Sequence, residues 1–176
     1  MKGVVSYKDP TLRKVGAFFV SALNVDIIRY DDVLLIKAEA LIELGRHAEA
    51  LPLINQIRER AKASTSRLIY TNGNPVSNYK IEPYLDGVNC SWTQDYARKA
   101  LRFERRLELA MEGSRFFDLV RWGIAAETIN DYFTKEKTRY AFLSAAIFKK
   151  NRDEYVPIPQ AQINLVEGIY TQNYGW

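Results

Sequence analysis

The sequence predicts an all-α fold in which antiparallel helix pairs are joined by long ordered loops and followed by an extended C-terminal tail. Apolar residues recur at helical spacing through residues 26–44, 48–63 and 94–111. Turn-forming residues without sustained periodicity occupy residues 64–91. The Pro-Ile-Pro segment at residues 157–159 cannot lie inside a helix, because each proline lacks a backbone donor. We therefore expect little strand.

The first helix pair is predicted over residues 26–44 and 48–63. Gly45 ends the first helix, since glycine adopts the left-handed conformation of a helix end at little cost. Pro52 lacks a backbone N–H, which predicts a late start or a kink in the second helix. Small and large residues follow the spacing of a tetratricopeptide repeat, namely Ala38, Leu41, Gly45, Ala50, Ile54 and Ile57. We therefore expect a tetratricopeptide-like antiparallel pair.

One copy of this repeat is evident in the sequence. Solenoids of this kind need about three repeats for stability, so we expect the copy to stack on upstream repeats that are absent here. Apolar surface of the first helix is then left uncovered, which predicts either self-association or marginal stability of the chain. The residues expected on that surface are Val33, Leu34, Ile36 and Leu41.

Further helices are predicted after the long loop. A capping box formed by Ser91 and Gln94 is expected to open the third helix, which ends at Gly113. The fourth helix is predicted over residues 114–122 and continues after Gly123. The core stripe of the third helix is predicted to consist of Tyr96, Ala100, Phe103, Leu107 and Met111. Short helices are also expected within residues 138–149 and 160–166.

Charged side chains are concentrated beside apolar ones in residues 104–123. Charges rarely remain next to a buried face unless they are paired. Arg115, Asp118 and Arg121 are spaced three apart, so on one helix they lie within pairing reach. The predicted structural ion ladder consists of Glu104, Arg105, Glu108, Glu112, Arg115, Asp118 and Arg121.

Two of these acids, Glu104 and Glu112, also fit a different hypothesis, which is glycoside hydrolysis. That reaction needs two carboxyl groups about 5 to 9 Å apart on either side of the bond. No other feature of the sequence supports it, so we favour the structural interpretation of the charges. A helical-repeat scaffold that binds a peptide or a nucleic acid is a third hypothesis.

The composition argues against several classes of function. Cys90 is the sole cysteine, which excludes an internal disulfide, and with His47 as the only histidine it leaves no set of zinc ligands. The sequence contains no phosphate-binding glycine loop, so we predict neither a metal nor a cofactor. The net charge is +4, but basic and acidic residues are interspersed, which favours a solvated surface over nucleic-acid binding.

Several segments, in order, resemble the SusD/RagB family, the nutrient-binding lipoproteins of Bacteroidetes outer membranes. Residues 28–39 are followed by Ile-Asn-Gln-Ile-Arg-Glu-Arg-Ala at 54–61. The run Glu-Arg-Arg-Leu-Glu-Leu-Ala-Met-Glu-Gly-Ser-Arg-Phe-Phe-Asp-Leu-Val-Arg-Trp-Gly follows at 104–123. Tyr-Val-Pro-Ile-Pro at 155–159 and Gln-Asn-Tyr-Gly at 172–175 complete the pattern.

The resemblance implies a non-catalytic, carbohydrate-binding protein of nutrient uptake and polysaccharide utilization. It implies a position at the outer membrane, on the cell surface, and delivery of oligosaccharide to a SusC-like TonB-dependent transporter. Family members are longer and carry an export signal and a lipidated cysteine, which we do not find in this sequence. We therefore expect residues 1–176 to form a single helical region, the C-terminal part of such a protein.

Aromatic and amide residues in and beside the 64–91 loop are candidates for sugar contact on composition alone, because the family's own sugar contacts lie upstream. A ring covers the apolar face of a sugar, and amides bind its hydroxyls. The alternative is that these rings pin the loop onto the helices. The candidate glycan-binding residues are Tyr70, Tyr79, Tyr84 and Trp92, accompanied by Asn72, Asn74 and Asn89.

Overall fold

The computed structural model describes residues 12–15, 18–21 and 27–176 with the exception of residue 167. The strands are β1 (Leu12–Val15) and β2 (Phe18–Ser21). The helices are α1 (Tyr30–Glu43), α2 (His47–Ser64), α3 (Gln94–Glu108), α4 (Ser114–Arg121), α5 (Ala125–Glu136) and α6 (Gln160–Leu165). Residue 26, where the first helix was predicted to begin, lies outside the described residues. So do the first residues of the chain, where an export signal was sought.

The two strands form an antiparallel pair. Leu12 lies opposite Ser21, and Val15 lies opposite Phe18. The chain divides into two compact units, Met1–Leu101 and Arg102–Trp176.

The core of the first unit is built by α1, α2 and the beginning of α3. Its buried side chains are apolar, and α1 packs directly against α2. The apolar residues that follow the tetratricopeptide spacing are all buried, which confirms the predicted helix pair; they are Ala38, Leu41, Ala50, Ile54 and Ile57. Small alanines at these positions let the two helices approach closely.

Gly45 ends α1 as predicted, with a φ of +76°. Its backbone N–H donates to the carbonyl of Ile42 at 3.0 Å, and the N–H of Arg46 donates to the carbonyl of Leu41 at 2.8 Å. These two bonds satisfy carbonyls that a helix end otherwise leaves open. The prediction of a late start for the second helix is wrong, because α2 begins at His47 and contains Pro52.

The apolar surface predicted for self-association is only partly present on α1. Val33 and Ile36 are exposed, whereas Leu34 and Leu41 belong to the buried core. Residues on one helix that are one position apart point about 100° away from each other, so neighbours fall on opposite sides of the boundary. Self-association of the chain stays a prediction.

The core stripe predicted for α3 is wrong except at Ala100, which is buried. Phe103 is 51% exposed and Leu107 is also exposed. The buried face instead consists of Ala97, Ala100, Leu101, Glu104 and Arg105. Glu104 and Arg105 lie off the predicted apolar stripe, so their side chains were expected in solvent. They are buried because they have partners inside the fold, as Arg105 has in Asp118. Thr93 rather than Ser91 caps the helix, since its Oγ1 accepts a hydrogen bond from the backbone N–H of Tyr96 at 3.3 Å.

The second unit contains α4, α5 and α6. The predicted fourth helix and its continuation correspond to α4 and α5. Gly123, which has a φ of +69°, lies between them. The helix expected within residues 138–149 is wrong, because only the 3₁₀ turn Ala141–Leu143 forms there. The turn predicted over residues 160–166 is α6.

The C-terminal tail is held against the Pro-Ile-Pro segment by side-chain hydrogen bonds. Gln172 accepts from the backbone N–H of Ile158 at 2.8 Å and donates to its carbonyl at 2.9 Å. The indole N–H of Trp176 donates to the carbonyl of Arg152 at 3.1 Å. The tail is therefore ordered, although no regular helix or strand includes it.

Candidate functional site

Asp118 lies at the centre of the charged region in the second unit. Its Oδ2 accepts a hydrogen bond from Nε of Arg105 at 2.8 Å, and both side chains are buried. Its Oδ1 accepts from Nε of Arg121 at 2.9 Å. The carboxylate thus joins α3 to α4 by one buried ion pair and supports α4 by a second pair within the helix.

Arg115 occupies a different environment from the other arginines of the predicted ladder. Its Nη1 is buried and has no hydrogen-bond partner in the described part of the chain. Burial lowers the pKa of Arg115, the nearby charge of Arg106 lowers it further, and the carboxylate of Asp118 opposes both effects. The sequence predicts an ion pair between Arg115 and Asp118. In the described part of the chain, Asp118 instead acts on Arg115 only through the electrostatic attraction of its charge.

Three guanidinium groups surround the ring of Trp122. The guanidinium carbons of Arg102 and Arg121 each lie 5.0 Å from the ring centroid, and that of Arg115 lies at 5.9 Å. Such cation–π contacts contribute about 0.5–1 kcal/mol each at exposed sites. Arginine side chains therefore cover the ring of Trp122, which makes it a packing residue rather than a free stacking surface.

The three glutamates of the predicted ladder differ in their exposure to solvent. Glu104 is only 4% exposed, and Glu108 and Glu112 are half-buried. A general acid must reach the oxygen of the bond that breaks, and a polysaccharide cannot approach a carboxylate buried to this extent. The structural role of the ladder as a whole stays a prediction.

The loop candidates separate into two groups, of which the first is an aromatic cluster in the first unit. The ring centroid of Tyr84 lies 5.4 Å from that of Trp92 and 6.0 Å from that of Tyr96. The guanidinium carbon of Arg58 lies 4.5 Å from the centroid of Tyr84. Trp92 is buried and donates its indole N–H to the carbonyl of His47 at 2.8 Å. Tyr84 and Trp92 therefore pin the loop onto the helices.

Asn55 holds the same half of the loop, and sequence reasoning missed it. Its Nδ2 donates to the carbonyl of Tyr84 at 2.8 Å, and its Oδ1 accepts from the N–H of Tyr84 at 2.8 Å. Nε of Arg58 donates to the carbonyl of Glu82 at 2.6 Å. The sequence did contain a signal for this role, because Asn55 directly follows the core residue Ile54. An amide so close to the core is costly unless it is hydrogen-bonded.

The second group lies in a hydrogen-bonded hairpin-like turn between residues 68 and 76. The N–H of Tyr70 donates to the carbonyl of Asn74 at 2.8 Å, and the N–H of Val76 donates to the carbonyl of Leu68 at 2.9 Å. Gly73, with a φ of +84°, forms the turn. Oδ1 of Asn72 accepts the N–H of Asn74 at 3.0 Å, so this amide serves the turn itself.

An open groove of about 590 Å³ lies beside this turn. Its walls are Thr65 and Ser66 in the 3₁₀ turn that follows α2, Ile69 and Pro75 in the hairpin-like turn, and residues 77–79. Tyr79 lines the groove and is 40% exposed, whereas Tyr70 is 55% exposed and lies outside the groove lining. The structure thus brings Tyr79 together with hydroxyl side chains and places Tyr84, Trp92 and Asn89 elsewhere.

Two kinds of feature are absent from the described ranges. No cluster of three or more histidine, cysteine, aspartate or glutamate side chains there has the arrangement of a metal site. None of the helices described is both long enough and apolar enough to span a bilayer.

Comparison with known proteins agrees with this architecture. Residues 20–176 match the SusD family. SusD-like protein P38 of Formosa agariphila is 39% identical over 106 residues, which are 60% of this chain and 18% of that protein. SusD-like protein P25 of the same organism is 35% identical over 154 residues, 85% of this chain and 24% of that protein.

A solved structure shows the same fold. The crystal structure of a SusD homologue from Bacteroides thetaiotaomicron superposes with a TM-score of 0.66 and 33% identity. The superposition covers 89% of this chain and 28% of that one. It confirms the predicted tetratricopeptide-like helical fold. The chain belongs to the SusD family, and it spans about a quarter or less of the length of the curated relatives named above.

Proposed function

We propose that this protein captures glycans at the bacterial cell surface for nutrient uptake, without cleaving them. The observation that carries the proposal is the match to the SusD family, which runs through residues 20–176 and includes both helical units. The superposed SusD homologue supports it, because the likeness extends to the fold. Captured oligosaccharide is then delivered to a SusC-like TonB-dependent transporter.

The proposal includes the position of the protein. A SusD-family protein in this role is an outer-membrane lipoprotein of the Bacteroidetes, held at the cell surface next to its transporter. The relatives from Formosa agariphila and Bacteroides thetaiotaomicron support this assignment by their family. The mixed-sign helical surfaces of the chain are compatible with a protein partner rather than a nucleic acid.

The environment of two acidic residues supports binding without cleavage. Glu104 is buried, and Asp118 is already engaged by Arg105 and Arg121. A retaining or inverting glycosidase needs two carboxyl groups that both face the substrate. The charged region therefore supports a structural role better than a catalytic one.

Titration calorimetry tests the proposal with the purified chain and a panel of oligosaccharides, namely cellohexaose, xylohexaose, maltoheptaose and hexagalacturonate. We expect saturable binding of at least one member and no new reducing ends after incubation with the parent polysaccharides. Release of reducing ends that Glu112→Gln abolishes supports the glycosidase hypothesis instead. DNA binding that falls steeply with added salt supports the scaffold hypothesis.

A further inference from the structure

We propose that the groove beside residues 68–76 is a binding subsite for an uncharged oligosaccharide, with Tyr79 as its stacking residue. The inference rests on the proposed function and narrows it to one site and one class of sugar. Among the sequence candidates, Tyr79 alone combines an exposed ring with a place in the groove lining. Tyr84 and Trp92 are occupied in the aromatic cluster.

The groove offers hydrogen-bond acceptors to the hydroxyl groups of a sugar. Oγ1 of Thr65 donates its proton to the carbonyl of Lys62 at 2.8 Å, and Oγ of Ser66 donates to the carbonyl of Ala63 at 2.9 Å. A hydroxyl that has donated its single proton retains only acceptor capacity. Both oxygens therefore favour a ligand that donates O–H groups, as sugar hydroxyls do.

The lining residues that the structure describes are all uncharged. They combine hydroxyl and amide groups with the apolar surfaces of Ile69 and Pro75. Arg67 and Lys80 adjoin the lining in sequence without belonging to it, and Lys62 on α2 is paired with Glu82 at 2.7 Å. A carboxylate or sulfate on the sugar finds no counter-charge in this lining, and removing it from water without a partner is costly. The chemistry therefore selects a neutral ligand.

The groove is also formed in advance. Hydrogen bonds between Tyr70 and Asn74, and between Val76 and Leu68, hold the turn. The N–H of Leu68 donates to the carbonyl of Thr65 at 2.9 Å, which connects the turn to the end of α2. A preformed site avoids the entropy cost of ordering a loop during binding. The volume of about 590 Å³ lies within the range of small-ligand sites.

The experiment compares Tyr79→Ala with Tyr70→Ala by calorimetry against the neutral members of the same panel. Loss of a stacking ring is expected to weaken binding about tenfold in Tyr79→Ala. Tyr79→Phe keeps the ring and is expected to bind like the wild type. Tyr70→Ala removes a still more exposed tyrosine from the same segment outside the groove lining, and the affinity of this variant is expected to be unchanged.

Two further measurements address the chemistry of the ligand. Thr65→Val removes one acceptor at nearly constant shape, and we expect about fivefold weaker binding. Binding of a neutral ligand is expected to change little between low and high salt, since no charges are screened. Circular dichroism of each variant confirms that the helices remain folded, so a loss of affinity reports on the groove.

The outcomes separate this inference from the proposed function. If the chain binds a neutral oligosaccharide and Tyr79→Ala binds it equally well, the groove is not the site, although glycan capture stands. A preference for hexagalacturonate that weakens with salt overturns the assignment to uncharged sugars. If no member of the panel binds to the wild-type chain, both the proposed function of this chain and the subsite are contradicted.

Discussion

The first unit packs α1, α2 and the start of α3 through apolar side chains, whereas the second unit buries charges beside a few apolar residues. Among the described residues, the buried charged side chains are Glu104, Arg105 and Asp118, all in the second unit. The buried apolar residues of that unit are Leu109, Leu119 and Ala125. The helices of the first unit therefore pack through apolar contacts, and those of the second unit pack through buried ion pairs as well.

The difference teaches that the two units depend on different properties of their residues. Apolar contacts are non-directional, so the first unit tolerates small shifts of its side chains provided that volume is conserved. A buried ion pair needs both partners in a defined geometry, because losing one leaves a charge in a poorly solvated place. The second unit should therefore be the more sensitive to a change of a single charge.

The largest effect is expected for Asp118→Ala. Loss of the Asp118 carboxylate leaves the buried Arg105 without this ion-pair partner. We expect the free energy of unfolding to fall by about 4 kcal/mol. Hydrogen exchange of the amides of α4, compared with those of α1, measures where the protection is lost. Equal loss in both helices contradicts the division of the chain into a charged and an apolar core.

A double variant sharpens this test. The double variant Arg105→Met, Asp118→Leu removes both charges at once. We expect it to recover most of the stability that Asp118→Ala loses. Lys135→Gln is the matched control, because its ion pair with Asp131 at 2.6 Å is exposed. Exposed pairs of this kind contribute about 0.2–1 kcal/mol.

The next effect belongs to the first unit and uses two neighbouring residues of α1. Leu35 is 0% exposed and Ile36 is 52% exposed. We expect Leu35→Ala to cost about 3 kcal/mol, because it removes buried methyl groups and leaves a cavity. Ile36→Ala should change stability by less than about 1 kcal/mol. Denaturant titrations of both variants measure the difference, and equal costs contradict an apolar core centred on this face of α1.

The smallest effect concerns an ion pair of the second unit and its pH dependence. The pKa of Asp153 lies below its ordinary value, because Nε of Arg152 donates to its Oδ1 and the N–H of Lys149 donates to its Oδ2. A lowered folded-state pKa means that this stabilisation is present above the unfolded-state pKa. It disappears as the pH falls through the folded-state value, from about pH 5 downwards.

Tryptophan fluorescence provides the measurement for this pair, since the guanidinium of Arg152 lies 4.7 Å from the ring of Trp176. We expect a small acid-induced change that Asp153→Asn abolishes, with Asp131→Asn as the control. The same change in both variants assigns the transition to general unfolding instead. This experiment thereby compares a partly buried ion pair, that of Asp153, with an exposed one, that of Asp131, within the second unit.

Local features of the fold were predictable from the sequence. The pair α1 and α2, the end of α1 at Gly45 and the boundaries of α4 all follow from the spacing of apolar residues and from turn-forming glycines. These features depend on interactions between residues that are close in the chain. The fourth helix was found for the same reason, although its surroundings were unknown.

The burial of α3 was not predictable in this way. Its apolar residues Phe103 and Leu107 are exposed, and its charged residues Glu104 and Arg105 are buried. A hydrophobic stripe identifies a face, but the partner of that face decides whether it is covered. Arg105 is buried because Asp118, thirteen residues away on α4, accepts a hydrogen bond from its Nε inside the fold.

The loop candidates show the same limit. Composition offered Tyr70, Tyr79, Tyr84 and Trp92 as equivalent sugar-binding residues. Contacts that are distant in sequence separated them, because Asn55 and His47 anchor the part of the loop that carries Tyr84 and Trp92. The part that carries Tyr79 forms an open groove instead.

By itself, the amino-acid sequence determined the pair α1 and α2, the helix α4, the turn at Gly45 and the family to which the chain belongs. Those properties are written in short-range spacing and in ordered motifs. The tertiary structure alone decided which charges of α3 are buried, which rings pack and which one lines a groove. The physical reason is that burial and pairing depend on residues that folding brings together from separate parts of the chain.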